Sequence, residues 1–327
     1  MNWITRWEKI GIKVKQILKK QPSDSDQEET DWKNCPQCKK ISYKPDLFNN
    51  SYICECSFHF DLPPKLRLDS LFDSNYEIIE APNNINPDPL NFEVKEGARE
   101  GYKYIDKIKK YRKVTGQKNA LICASGNISN LSAVVVCFNP KFGAGRFGPS
   151  ENEHFLKAAN FAVEKKVDIW IVVYQSSGID VHTGVTGLAG MTKSIIAMNE
   201  IKKNNIPTFC VAARATTGGT YASSFFMHDF IIIESKCVEN LLFSGKRVTA
   251  NILKGTDQIP EDFGTGPGIM KSGLADITLE NRKKLKDTIT KLANIILKKE
   301  NLKPESASVE EAHENQEDFK KATSTTS

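Results

Sequence analysis

The chain has 327 residues, 39% of them hydrophobic, with 45 basic against 40 acidic residues and a net charge of +5. That length supports one substantial core and a small extra module. The near balance of charge excludes attachment to a partner by bulk charge alone, and no apolar run approaches the roughly 20 residues that span a bilayer, so a soluble, cytoplasmic protein is expected.

Residues 1–30 divide by charge. Arg6, Lys9, Lys13, Lys15, Lys19 and Lys20 precede Asp24, Asp26, Glu28 and Glu29, and Trp3, Ile4, Trp7, Ile10, Val14 and Ile17 recur among the basic residues at near-helical spacing. A basic amphipathic arm followed by an acidic linker is expected. Such an arm fits a membrane surface or a partner, and packing against its own protein is the preferred expectation.

Residues 31–61 hold four of the eight cysteines, as Cys35-Pro36-Gln37-Cys38 and Cys54-Glu55-Cys56. A tetrahedral Zn²⁺ takes four thiolates at about 2.3 Å, which two cysteine pairs on a folded-back hairpin satisfy. Tyr43-Lys44-Pro45-Asp46 and Asn49-Asn50-Ser51 read as turns and Tyr52-Ile53 as a returning strand, so a zinc ribbon is expected. The second pair has one intervening residue; on a strand, Cys54 and Cys56 would still point the same way. His59 is an alternative ligand, although a packed or solvated histidine is the plainer expectation. Cys123, Cys137, Cys210 and Cys237 stand singly in apolar segments as reduced core thiols do, and no signal peptide is recognisable, so a metal is expected over disulfides.

Residues 62–302 form the main body. Strands are expected at 120–124 and 133–138, joined by a turn at Ser125-Gly126-Asn127, then a helix over 152–166. The wholly apolar run 168–174 predicts a strand buried on both faces. A helix over 185–204, a strand at 208–212, a short helix after Gly219 and a strand at 230–233 complete an α/β pattern with a mainly parallel sheet. Two strand ends deliver glycines where a helix is expected to start, Ser176-Ser177-Gly178-Ile179 and Thr216-Thr217-Gly218-Gly219. Free N–H groups there make an oxyanion hole, and a simple tight turn is the plainer alternative. Neither matches a nucleotide-binding glycine motif. Residues 303–327 are polar and expected to be a disordered tail.

In colinear order, Cys35-Pro36-Gln37-Cys38, Asp88-Pro89-Leu90-Asn91-Phe92, Phe142 to Gly148, Ser176 to Gly184, Met191-Thr192-Lys193, Thr216 to Ser224 and Phe243 to Val248 resemble the β subunit of bacterial acetyl-CoA carboxylase carboxyltransferase. The resemblance runs from residue 1 to about 298. It implies a ClpP/crotonase-like spiral domain carrying a small N-terminal zinc ribbon, with a structural Zn²⁺ on Cys35, Cys38, Cys54 and Cys56. It also implies transfer of a carboxyl group from carboxybiotin, borne by a biotin carboxyl carrier protein, to acetyl-CoA, giving malonyl-CoA for fatty acid synthesis. Implied partners are a carboxyltransferase α subunit, in an α2β2 assembly, and biotin carboxylase. Gly178 and Ile179 would stabilise the thioester enolate, Gly218 and Gly219 would shape the adjoining pocket, and Ser177 and Arg247 would contact substrate.

The chain departs from that family in its loops. The family's Ser-Gly-Gly-Ala-Arg-Met-Gln-Glu reads here Ser176-Ser177-Gly178-Ile179-Asp180-Val181-His182-Thr183, its Phe-x-Gly-Gly-Ser-Met-Gly reads Phe142 to Gly148, and an Asp-Pro reads Arg214-Ala215. Asp180 and His182 would form an acid/base pair if they met, but a solvated loop is the preferred expectation. Two further readings follow: a diverged paralogue acting on another acyl-CoA or serving as a non-catalytic partner, and a zinc-ribbon nucleic-acid-binding protein.

Overall fold

The computed structural model describes residues 31–97, 99–252 and 259–298. The amphipathic arm, the acidic linker and the tail therefore lie outside the described residues. The cysteine-rich segment opens with β1 (Trp32–Asn34) and β2 (Ile41–Tyr43), an antiparallel pair. The turn expected at 43–46 is instead the start of helix α1 (Lys44–Asn49), because Pro45 suits a first helical turn and Asp46 favours its positive end. The returning strand shrinks to one bridge, Ile53 with His59.

Helix α2 (Pro64–Leu71), strand β3 (Glu77–Ile79) and helix α3 (Tyr104–Thr115) lead into a hairpin of β4 (Leu121–Ile128) and β5 (Leu131–Phe138). Its turn is Ser129-Asn130, not 125–127: both residues have positive φ, and their amides donate to Asp73. Gly126 lies within the strand because a Cβ there would stand 2.9 Å from the Phe72 ring.

Then come α4 (Pro149–Lys165), β6 (Ile169–Ser176), α5 (Val185–Lys203), β7 (Thr208–Thr217), α6 (Gly218–Ala222), β8 (Phe230–Ile233) and β9 (Leu241–Leu242). Helices α7 (Lys246–Ile252) and α8 (Gly266–Lys271), strand β10 (Ile277–Thr278) and helix α9 (Leu285–Leu297) finish the described chain. The large sheet runs β10-β8-β7-β6-β5-β4-β3, with β9 beside β7. Pairs from β10 to β5 are parallel, and β5-β4 and β4-β3 are antiparallel.

All eight residues of central β6 are buried, as its unbroken apolar run predicts. Alternation sends Trp170, Val172 and Tyr174 to one face, where α4 and α5 pack through Phe155, Ala158, Ala162, Met198 and Ile201. Ile169, Ile171 and Val173 go to the other, against Leu68 and Leu71 of α2 and Ile289 and Ala293 of α9. Full burial of each such side chain contributes about 1.5–3 kcal/mol, so the two faces fix the sheet between helical layers and leave the strand ends to carry the site.

Candidate active site and metal centre

The four ribbon thiols converge, every sulfur lying within 4.8 Å of the others. Cys35 Sγ stands 3.6 Å from Cys56 Sγ, and Cys38 Sγ stands 3.7 Å from Cys54 Sγ. A tetrahedron of sulfurs at 2.3 Å from a central ion has an edge of about 3.8 Å, so the set fits Zn²⁺ and is too wide for disulfides. Burial pushes the Cys35 thiol up, but the N–H groups of Cys38 and Gln37 and the neighbouring thiols outweigh it and bring it down to about 7. Cys56 is driven up to about 12, chiefly by burial. One thiol thus ionises readily, and a divalent cation, when bound, would ionise Cys54 and Cys56, whose thiols burial pushes up.

The shortened second pair works through a turn and not through a strand. Cys54 N–H donates to Phe58 O at 2.8 Å, Ser57 N–H donates to Cys54 O at 2.8 Å, and Ser57 takes φ 66°. The first pair closes alike, with Lys39 N–H on Cys35 O at 2.9 Å. His59 does not join the sulfurs. It is buried, and burial first, then Arg282, holds it near 4, so it stays neutral. Cys237 is no core thiol: it is half-buried, its sulfur 3.8 Å from Gln37 Oε1 of the ribbon.

Guanidinium groups join ribbon to sheet. Arg282 Nη2 donates to Phe60 O at 2.8 Å, and Arg214 Nη1 donates to His59 O at 3.3 Å while pairing with Asp61 at 2.6 Å. Arg67 grips buried Glu234 through two bonds of 2.7 and 2.8 Å, and Arg282 adds an ion pair at 2.8 Å. Burial raises the Glu234 carboxyl, but Arg67 and Arg282 outweigh it and leave it below the usual carboxylate range.

At the C-terminal ends of β6 and β7 the two glycine turns stand back to back. A Cβ on Gly178 would lie 2.7 Å from Thr217 O and 3.2 Å from Gly218 Cα, and Gly178 has φ +98°. A Cβ on Gly219 would stand 2.3 Å from Ile179 Cγ1. Only glycine permits this approach. The N–H of Gly178 is already taken by Ser176 Oγ at 3.1 Å, and that of Gly218 by Phe243 O at 3.0 Å. Neither therefore serves as a free donor. No partner among the described residues takes the N–H of Ile179 or Gly219, so these two of the four expected residues keep donors available at the seam. Ser177 is exposed at the rim. Arg247 belongs to α7, and its side chain lies outside the described residues.

Gly178 does not open a helix as expected; α5 starts only at Val185, after a 3-10 turn, Val181–Thr183. The Asp180 carboxylate is not solvated, although Val181 beside it is exposed. Asp180 and Arg146 are 6% and 4% exposed, and Asp180 Oδ1 meets His182 Nδ1 at 2.9 Å. Sequence reasoning missed Arg146, Glu151 and Tyr104, which surround this pair. An arginine gained at 146 together with one lost at 180 was the available signal.

Comparisons agree with this geometry. Residues 104–326 match the Carboxyl transferase domain family. The acetyl-coenzyme A carboxylase carboxyl transferase subunit beta of Pelagibacter ubique is 31% identical over 91% of this chain and 93% of its own length. That of a Hydrogenobaculum species is 32% identical over 82% and 93%. Among solved structures, transcarboxylase 12S superposes with TM-score 0.57 at 18% identity, covering 71% of this chain and 41% of its own. A Pseudomonas malonate decarboxylase MdcD-MdcE hetero-dimer gives 0.53 at 15%, covering 76% and 90%. Those two likenesses establish the shared fold. The converging thiols, the paired glycine turns and the relatives that span nearly the whole chain together make this protein a member of the carboxyl transferase family, in its acetyl-CoA carboxylase β-subunit branch.

Proposed function

We propose that the chain is the subunit that holds acyl-CoA and stabilises its enolate during carboxyl transfer from carboxybiotin to acetyl-CoA, forming malonyl-CoA. The observation that carries the reading is the seam between Gly178 and Gly218, which leaves the Ile179 and Gly219 N–H groups free beside each other's turns. An enolate oxygen placed there accepts two preorganised backbone donors, each worth about 10²–10³ in rate. Gly178 acts by permitting the approach, as Gly219 does besides donating, and the N–H groups of Gly178 and Gly218 are already taken. Ser177 at the rim and Arg247, four residues after the Phe243 that pairs with Gly218, are the proposed substrate contacts.

The ribbon cysteines would hold a structural Zn²⁺: with four protein sulfurs there is no open position for substrate, so the metal supplies folding energy. Carboxybiotin, formed by biotin carboxylase, would arrive on a carrier protein and be received together with an α subunit in an α2β2 assembly. None of the described helices is long and apolar enough to cross a membrane, in keeping with a cytoplasmic place of work.

The test is co-purification with a carboxyltransferase α subunit, followed by carboxyl exchange from malonyl-CoA to a biotin acceptor. Exchange that collapses on widening the seam supports the reading. A stable complex with no exchange on any acyl-CoA refutes it.

A further inference from the structure

Beside the glycine turns lies a cluster that enolate binding leaves unused. Asp180 Oδ2 accepts from the Tyr104 hydroxyl and from the Arg146 guanidinium, while Oδ1 accepts from the His182 backbone N–H at 3.1 Å and meets His182 Nδ1 at 2.9 Å. The other side of Arg146 pairs with Glu151 at 3.2 Å. Glu151 also accepts the N–H groups of Ala120 at 3.0 Å and Gly148 at 3.1 Å. Asp180, Arg146, Glu151 and Tyr104 are all buried. Arg146 lies between the two carboxylates, and the His182 ring is a further group in contact with Asp180.

The His182 ring is held by Asp180 and by two aromatic rings. It lies flat on Tyr104, with centroids 4.0 Å apart and planes at 5°, and meets the Phe92 ring edge-on at 5.1 Å. Tyr102 stands 6.2 Å away. The titratable groups facing it are thus Asp180, Tyr104 and Tyr102, with Arg146 and Glu151 behind Asp180. Its Nε2 has no partner among the described residues and is not buried, the side chain being 25% exposed. A carboxylate on Nδ1 fixes the proton there in the neutral ring and leaves the Nε2 lone pair outward. The ring sits three residues after Ile179, so chain length alone keeps the two backbones within about 10 Å.

We propose that His182 is the base of carboxyl transfer in this chain, with Asp180, Arg146 and Tyr104 as positioning residues, a step that rests on the acyl-CoA reading above. His182 Nε2 takes a proton from the carbon next to the thioester. The C–H electron pair becomes the enolate, whose oxygen accepts the Ile179 and Gly219 N–H groups. The enolate carbon attacks the carboxyl carbon of the N-carboxylated ureide; a C–C bond forms and the C–N bond breaks. Its electron pair returns to the ureido nitrogen, which takes up the proton from His182. The family pattern has arginine and glutamine where this chain has Asp180 and His182, so the dyad is a property of this chain.

The experiment uses the full chain in complex with a carboxyltransferase α subunit and compares wild type, His182→Gln and Asp180→Asn for kcat, KM, melting temperature and rate against pH. His182→Gln is expected to lower kcat by 10²-fold or more, to keep KM and melting temperature, and to abolish the acid-side fall in rate. Asp180→Asn is expected to lower kcat and displace that fall. If Asp180→Asn does not fold, the more exposed His182→Gln decides alone. A His182→Gln complex with wild-type kcat and an unchanged pH profile overturns the proposal and leaves the carboxyl-transfer reading standing. A wild-type complex without carboxyl exchange overturns both.

Discussion

Gly178 and Gly218 both take positive φ, yet alanine at the two positions should behave differently. At Gly178 the new Cβ would stand 2.7 Å from Thr217 O, so the turns must part by about 0.7 Å to restore an ordinary 3.4 Å contact. At Gly218, with φ +62°, the nearest atom is Gly178 Cα at 3.5 Å, which is ordinary contact. Positive-φ backbone costs either variant about 1–2 kcal/mol, which lowers melting by a few degrees in a protein of this size. Only Gly178→Ala also separates the Ile179 and Gly219 donors, and loss of one such donor costs about 10²–10³ in kcat. Carboxyl exchange measured beside melting temperature should therefore show Gly178→Ala losing two to three orders of magnitude, and Gly218→Ala staying within about tenfold. Equal loss in both variants would refute the idea that the seam's spacing sets the rate.

Metal analysis should find about one zinc per chain, lost in Cys38→Ser together with resistance of residues 31–61 to protease; a metal-free protein with an intact ribbon would end that assignment. Burial holds both His228 and His59 at about 4, so the unfolded chain binds their protons first. Stability present above pH 6.5 should be lost as pH falls toward 4, and His228→Phe should flatten part of that loss in a plot of melting temperature against pH. Asp180→Arg alone sets a second guanidinium against buried Arg146 and should cost about 3–5 kcal/mol, which denaturant titration should find largely restored in the double variant with Arg146→Ser. Additive effects in that cycle would argue against a direct pair.

The parallel sheet was legible because apolar runs such as 169–173 carry burial on both faces in their composition alone, and no tertiary detail alters that. The β4–β5 turn was misplaced because Gly126 carries the usual mark of a turn, while the actual reason for its glycine is the ring of Phe72, which follows α2 more than fifty residues earlier. The thiol set was readable from spacing, but its second half was reasoned as a strand where a Ser57 turn operates. At the glycine motifs, type alone could not say which N–H groups were already bonded; that depended on Ser176 Oγ and on Phe243. The Asp180 cluster escaped for a similar reason. Arg146 and Asp180 are 34 residues apart, and it is the Phe147–Ile179 bridge, with the Ser177 N–H on Ala144 O at 2.9 Å, that brings their loops together.

Arg282 and Arg214 hold the cysteine-rich module by the carbonyls of Phe60 and His59, which are main-chain atoms. A carbonyl is the same whatever side chain follows it. The joint therefore constrains its two halves unequally: identities at 59 and 60 are free to drift within the limits of packing, whereas the two arginines on the large domain are not. Exchange of the whole module for a foreign one of equal backbone path that keeps an acidic residue at 61 for Arg214 would leave these contacts in place, so this boundary is a natural point for grafting.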